Sequence, residues 1–146
     1  SAVSADLSAQ QAWLTSYASS KGQAYFIIEY QNEPIGTVRL YDAQQDSFCW
    51  GSWILKDGRP VQAAMESALM VYSYAIDHLG FKDAHFTVHK ANQRVCEFHE
   101  RFGAQCIKED EIEYSYSVPS AAISNSRIKY KKFLIDSVMV PENFSN

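Results

Sequence analysis

The stretch "WILKDGRPVQAAMESALM", residues 53–70, decides the fold, because it joins an apolar strand to a long helix through a short polar loop. From Val61 to Leu79 apolar residues recur at the spacing of one helix face, and Gly80 supplies the stop signal. Units of this kind commonly hold phosphates, since the free amides at a helix start and the helix dipole both favour an anion.

The loop itself carries residues suited to a phosphate. Gly58 and Pro60 shape the turn, and Arg59 adds a positive charge. Ala63 and Ala64 leave room for a ligand to come close. Every helix needs a start, however, and the loop before it often contains glycine. The loop alone is therefore compatible with a phosphate site and with an ordinary connection.

Strands precede and follow this unit. Three segments rich in aromatic and β-branched residues are separated by short polar turns, which predicts an antiparallel meander; they are Ala24–Tyr30, Ile35–Tyr41 and Ser47–Leu55. Residues 82–89, after the long helix, read as a further strand. A second helix is predicted from Asn92 to Gly103, because Asn is a good N-cap and Gly closes a helix in the left-handed conformation.

The opening segment, residues 4–20, is predicted to be helical. Ser8 and Gln11 fit a capping box, and Leu7 is placed for a hydrophobic staple. Leu14 and Tyr17, together with Trp13, then form an apolar stripe at helical spacing.

The tail is predicted to contain two strands, residues 105–117 and 127–135, around a loop with Pro119. Acidic residues on the first strand are expected to face basic residues on the second; they are Glu111 and Glu113 against Lys129 and Lys131. The element order is helix, three strands, helix, strand, helix, two strands. We expect one α+β domain over residues 1–146, built on a mixed sheet.

Composition narrows the class of protein. A chain of 146 residues that is 47% hydrophobic and 21% charged is long enough for one domain with a proper core. A net charge of −4 gives no basic footprint for nucleic acid. Three cysteines without metal spacing indicate reduced thiols, and no apolar run approaches the length of a membrane span. We expect a soluble cytoplasmic protein with no membrane partner.

The pieces in their order resemble the GNAT acetyltransferase superfamily. The resemblance rests on "AYFIIEYQNEPIGTVRLY", "WGSWIL", "YSYAIDHLGF", "AHFTVHKAN" and "RVCEFHERFGA". It implies a meander, a pyrophosphate-binding loop before a long helix, and a strand that splays away from its neighbour. "IGTVRLYD" followed by "WGSWIL" looks most like bacterial enzymes that acetylate amino-sugar nucleotides. The sequence is compatible with a homodimer and does not decide the oligomeric state.

Three features depart from the family pattern. The loop stretch "RPVQAA" lacks the internal glycine, and Cys49 stands where relatives with protein or amino-acid substrates often have Glu. The family also opens with a strand and a helix before the segment that starts this chain. The sequence therefore suggests that the opening strand is missing, so that the chain is either truncated or depends on another element to cover that sheet edge.

The resemblance implies direct acetyl transfer from acetyl-CoA to a primary amine, with no metal. Splayed strands should expose backbone groups around Trp53, Ile54, Leu55 and Val88 to the pantetheine arm. The remaining residues expected to bind acetyl-CoA are Gly58, Arg59, Pro60, Val61, Gln62, Ala63, Ala64, Asn92 and Phe98.

His99 stands where relatives often place a Tyr that protonates the leaving thiolate. An imidazole, with an ordinary pKa of about 6.5, can serve there. A surface histidine with no role, or a base that acts through water, are the alternatives. A Cys96–His99 nucleophilic pair is disfavoured because nothing orients the imidazole. His85 and His89 lie too far apart along a strand to share a metal ion.

The acceptor is the least defined part of the prediction. Trp50 and Trp53 are expected to face one side of their strand, either as core or as a platform for a sugar or base, with Tyr41 or Tyr116 nearby. The leading hypothesis is N-acetylation of a small amine, with an amino-sugar nucleotide as the first guess. The alternatives are a degenerate acyl-CoA-binding module that works by interaction and a protein or peptide N-acetyltransferase.

Overall fold

The computed structural model describes residues 12–20, 23–59 and 61–133. Seven strands of this part form one sheet in the order β1-β2-β3-β4-β5-β7-β6. The strands are β1 Ala12–Ser20, β2 Gln23–Tyr30, β3 Glu33–Gln44, β4 Ser47–Leu55, β5 Asp83–His89, β6 Gln105–Glu109 and β7 Glu113–Val118. The helices are α1 Ala63–Ser73, continued by a π-helical turn Tyr74–His78, then α2 Gln93–Phe102 and α3 Ser120–Lys129, followed by a 3-10 turn Lys131–Phe133.

The sheet is mixed, as predicted. Strands β1 to β4 pair antiparallel as a meander. Strand β5 runs parallel to β4, and β7 and β6 then continue the sheet antiparallel. The β4–β5 pairing extends over three rungs only, from Ser47↔Asp83 to Cys49↔His85. The strands diverge beyond that point, so the predicted α+β fold with splayed strands is confirmed.

One face of the sheet, which we call the helix face, carries the core and packs against α1 and α2. It includes Phe26, Val38, Phe48, Trp50 and Phe86, each no more than 4% exposed. Tyr72 of α1 contacts Phe48 and Trp50 of β4, and its ring stacks on Phe102 of α2 with centroids 4.7 Å apart. Aromatic contacts thus join both helices to the sheet and to each other.

Helix α2 has the predicted ends. Asn92 occupies the N-cap position, although its side chain makes no capping hydrogen bond. Gly103 closes the helix with φ +111°, a left-handed conformation that glycine adopts without a Cβ clash.

The predicted opening helix is wrong where it can be compared. Residues 12–20 form the edge strand β1, which pairs antiparallel with β2 from Ala12↔Tyr30 to Ser20↔Gln23. The apolar residues of this segment are spaced as in a helix, but pairing with β2 makes it a strand. A strand therefore covers the sheet edge that the sequence suggested was uncovered. The expected capping residues Leu7, Ser8 and Gln11 lie outside the described residues.

The prediction for the tail is also wrong in two respects. Residues 105–117, taken as one strand, form the β6–β7 hairpin. The second predicted strand begins inside α3, which buries Ile123 and Ser126 against the end of α2, where the Ser126 hydroxyl donates to the Phe102 carbonyl. Because Lys129 lies in α3 and Lys131 in the 3-10 turn, neither pairs across strands with Glu111 or Glu113.

Candidate active site

The divergence of β4 and β5 opens a gap in the sheet. Among the described residues, Trp50–Leu55 of β4 and Phe86–His89 of β5 share no backbone rungs. The gap leads into a cleft of about 530 Å³ between the end of β4, the start of α1 and one side of α2. The cleft is lined by Trp53, Ile54, Leu55, Arg59, Ala64, Asn92, Arg94, Val95, Glu97, Phe98 and Arg101.

A β-bulge shapes the strand at the gap. The rung Arg39↔Gly51 is followed by Thr37↔Ile54, so β4 carries one more residue than β3 over this interval. Ser52 absorbs the extra residue with φ +48°. Trp50 and Trp53, three residues apart, therefore lie on the same face, with ring centroids 5.0 Å apart. An unbroken strand would have turned them to opposite faces.

The start of α1 borders the cleft. Gln62 occupies the N-cap position and makes no side-chain capping bond, so the first amides of the helix are left without a partner inside it. Arg59 and Ala64 line the cleft beside this helix start, as the sequence predicts for an anion site. Ala63 is fully buried and Val61 is 97% exposed, and neither is among the residues that line the cleft. Pro60 lies outside the described residues.

Two further arginines were not predicted as binding residues. Arg94 and Arg101 lie seven positions apart on α2 and so share one side of the helix, which faces the cleft. Together with Arg59 they bring three positive charges to one cleft, with Glu97 as the acidic residue among them. The sequence signal for this pair of binding residues was the seven-residue spacing of the two arginines in α2. A guanidinium is well suited to phosphate oxygens.

His99 lies in an aromatic pocket under the gap. It is 5% exposed, and its ring contacts Phe86 of β5 and Trp50 of β4, with centroids 4.2 and 5.2 Å away. Burial lowers the pKa of His99 to about 3, because a charged imidazole would lose its hydration. The ring is therefore neutral near pH 7. A neutral imidazole still offers one N–H donor. The role predicted from the sequence, protonation of the leaving thiolate, is therefore narrowed to donation from a neutral ring.

The other aromatic candidates differ in accessibility. Trp50 is 2% exposed and donates its ring N–H to the Tyr72 hydroxyl at 3.2 Å, so it serves as core and presents no platform. Tyr116 is 1% exposed, with its hydroxyl 2.6 Å from Glu100. Trp53 is partly exposed, lines the cleft and donates to the Ser67 hydroxyl. Tyr41 lies on the opposite face of the sheet from the core.

The remaining histidines and Cys96 have local partners. His85 Nδ1 is 2.6 Å from the Ser47 hydroxyl, and its Nε2 is 3.1 Å from an Asp42 carboxylate oxygen. His89 Nδ1 accepts from a backbone amide, and the Cys96 thiol points at the His89 carbonyl rather than at His99. Within the described ranges, no three His, Cys, Asp or Glu side chains are grouped as a metal site would require.

Comparison with known proteins shows which family has this sheet and cleft. The family model described as "Acetyltransferase (GNAT) domain" matches residues 2–105. The chain belongs to the GNAT acetyltransferase family. Acetyl-CoA is the co-substrate of this family, and the arginine-lined cleft with a free helix start fits a donor that carries several phosphates. No curated protein matches the chain.

Solved GNAT structures support the assignment. FdhC, described in its apo form as a nucleotide-linked sugar GNAT, is 44% identical with a TM-score of 0.74 over 79% of this chain and 67% of FdhC. Campylobacter jejuni N-acetyltransferase PseH, solved with acetyl coenzyme A, is 18% identical with a TM-score of 0.59 over 68% of this chain and 70% of PseH. A GCN5-related N-acetyltransferase from Brucella melitensis is 18% identical with a TM-score of 0.69 over 87% of this chain and 62% of that protein.

In the part of this GNAT chain that the structure describes, no helix has the length and apolar character needed to cross a bilayer.

Proposed function

We propose that this GNAT protein transfers an acetyl group from acetyl-CoA to a primary amine of a small molecule, and that the acceptor is an amino sugar linked to a nucleotide. One observation supports the transferase assignment above others: the gap between β4 and β5 opens into a cleft with three arginines and a free helix start. The choice of acceptor rests on the 44% identity to FdhC.

Different residues along the cleft bind different parts of acetyl-CoA. Arg59, Arg94 and Arg101 hold the phosphates of acetyl-CoA, together with the amides at the start of α1. The free edge of β4 at residues 53–55 presents backbone donors and acceptors to the amide groups of the pantetheine arm. Phe98 and Trp53, whose ring centroids are 5.1 Å apart, supply apolar contact.

When bound, acetyl-CoA would supply an activated acyl carbon: the amine nitrogen forms the C–N bond and gives up one proton, the C–S bond breaks, and the leaving thiolate takes up a proton. The chain orients the amine and limits water at this point. His99, neutral under the gap, is our candidate for an N–H donor there. A base that acts through water is the competing arrangement.

The first experiment measures release of free thiol from acetyl-CoA with a panel of amines. The panel contains UDP- and dTDP-linked amino sugars, the same sugars without nucleotide, spermidine and a peptide with a free N-terminus. Turnover with a nucleotide-linked amino sugar is expected. Turnover with the peptide alone would favour a protein N-acetyltransferase. Acetyl-CoA binding without turnover would favour a degenerate module, for which the loop without its internal glycine is the motivation. Absence of binding would refute the transferase proposal.

A matched pair of variants tests His99. His99→Gln keeps a neutral N–H donor, whereas His99→Phe keeps an aromatic ring without one. If His99 donates, the Gln variant retains more of kcat than the Phe variant across pH 6–9. Equal kcat values for wild type and both variants would remove His99 from the mechanism.

A further inference from the structure

The side of the sheet away from α1 and α2, which we call the second face, carries its own set of polar residues. Cross-strand partners share a face, and the register places Tyr41, Cys49 and His85 in one row. The next row towards the gap pairs Arg39 with Gly51. Because Cys49↔His85 is the last rung before the strands diverge, Arg39 and Gly51 lie at the mouth of the gap.

Arg39 is held by aromatic rings rather than by an acid. Its guanidinium carbon lies 3.7 Å from the ring centroid of Tyr41 and 5.9 Å from that of Tyr25. One Nη is 3.4 Å from the Gln23 side-chain oxygen, which the Tyr25 hydroxyl also contacts at 2.8 Å. Stacking of this kind fixes the plane of a guanidinium and keeps it ready for a ligand.

Tyrosine side chains use part of the hydrogen-bonding capacity of Arg39, since hydrogen bonds with Tyr25 and Tyr41 raise the pKa of the guanidinium. A guanidinium has five N–H donors, and Arg39 Nε is buried without a partner among the described residues. Within the same part of the chain, no carboxylate lies within ion-pair distance of Arg39. Nε is buried and out of reach of a ligand, but a guanidinium with no carboxylate partner beside the gap can pair with an anionic ligand through its Nη groups.

The Tyr41 ring lies over Gly51, in the space that a side chain at this position would need. A Cβ at this position would lie 3.0 Å from the Tyr41 hydroxyl, which is tighter than ordinary contact. Any side chain there would push Tyr41 off its contact with Arg39 or fill the mouth of the gap. The backbone at Gly51 is one strand spacing, about 4.8 Å, from that of Arg39.

We infer that Arg39 binds the diphosphate of the acceptor on the second face, opposite the arginines that hold acetyl-CoA. This inference rests on the proposed function. The two anions then approach the gap from opposite sides, with Arg59, Arg94 and Arg101 on one side and Arg39 on the other. In a nucleotide-linked amino sugar the amine is separated from the diphosphate by one sugar ring, which places it at the mouth of the gap. Arg39 is thus the residue that selects phosphate-bearing acceptors.

The test measures binding of UDP and dTDP, with uridine and thymidine as phosphate-free probes, by calorimetry on full-length protein saturated with CoA. Saturation keeps the probes out of the arginine-lined cleft. We expect a diphosphate to bind at least about tenfold more tightly than its nucleoside, and Arg39→Met to weaken diphosphate binding by ~10- to 100-fold. Arg127→Met, which removes a surface arginine paired with Asp77 away from the gap, is the matched control and should leave diphosphate affinity unchanged.

Affinity for CoA reports whether Arg39→Met is folded, and Arg39→Lys replaces it if it is not. The lysine variant keeps the charge without the planar fork, so an intermediate loss is expected. Unchanged diphosphate affinity in the Arg39 variant, or nucleoside binding as tight as that of the diphosphate, would overturn the inference. Turnover of amines with no diphosphate binding refutes the inference alone, whereas diphosphate binding with no turnover of any amine refutes the proposed function alone.

Discussion

The burial of His99 makes a prediction about the pH dependence of stability. Its pKa is about 3 in the folded chain, against about 6.5 in an unfolded one. Between these values the unfolded state binds a proton that the folded state does not, so the free energy of unfolding rises with pH in this window. Stability from this group is fully present above pH 6.5 and is lost progressively as the pH falls towards 3.

The size of the effect follows from the two values. At pH 5 the solution is about 1.5 pH units below the pKa of the unfolded imidazole. At 1.36 kcal/mol per unit, protonation of the unfolded state lowers the free energy of unfolding by about 2 kcal/mol. His99→Phe keeps a ring in the pocket and cannot titrate. The loss in unfolding free energy from pH 7.5 to pH 5 should therefore be about 2 kcal/mol smaller in this variant than in wild type.

Urea unfolding at pH 5, 6 and 7.5, followed by circular dichroism, measures this difference. The exposed His78 provides the control, since His78→Gln should reproduce the wild-type pH dependence. Parallel stability curves for wild type and His99→Phe over this range would refute the assignment of a low pKa to His99 and, with it, the neutral state of the ring at the gap.

Three further outcomes are expected. Gly36→Ala should lower the free energy of unfolding by about 1–3 kcal/mol, because its Cβ would overlap the Ile54 carbonyl oxygen; an unchanged urea midpoint would contradict this. Tyr72→Phe should cost about 1–3 kcal/mol by leaving the buried Trp50 ring N–H unpaired, measured by the same unfolding assay. Arg101→Met should weaken CoA binding and reduce its salt dependence in calorimetry, and an unaltered salt slope would place Arg101 outside the phosphate site.

The central part of the fold could be predicted because local signals agree with the tertiary structure there. The third strand was predicted as Ser47–Leu55 and has those bounds, and α2 ends at Gly103 as its backbone requires. Residues 12–20 could not be assigned in this way, since the apolar spacing suits a helix while the partner strand β2 decides the outcome. In the tail, the sequence predicts a loop around Pro119 where α3 begins, because a proline is compatible both with a loop and with the start of a helix.

The site was predictable in outline and only in part in its charges. The gap, the loop with Arg59 and Asn92 follow from motif order, but Arg94 and Arg101 reach the same cleft from α2, an element far from the loop in sequence. The bulge at Ser52 depends on one residue in the left-handed region, which no residue type at that position signals. Burial separates Trp50 from Trp53 and sets the protonation of His99, and it depends on helices that pack from elsewhere in the chain.

The three parallel rungs between β4 and β5 are the backbone pairing that joins two leaves of the sheet, β1 to β4 on one side and β5, β7 and β6 on the other. Leu55 lies six residues beyond the last rung, about 20 Å at 3.3 Å per residue. His99 is wedged between Trp50 on one leaf and Phe86 on the other. Because one side chain touches both leaves, a residue of another size at this position should alter the width of the gap as well as remove the imidazole N–H.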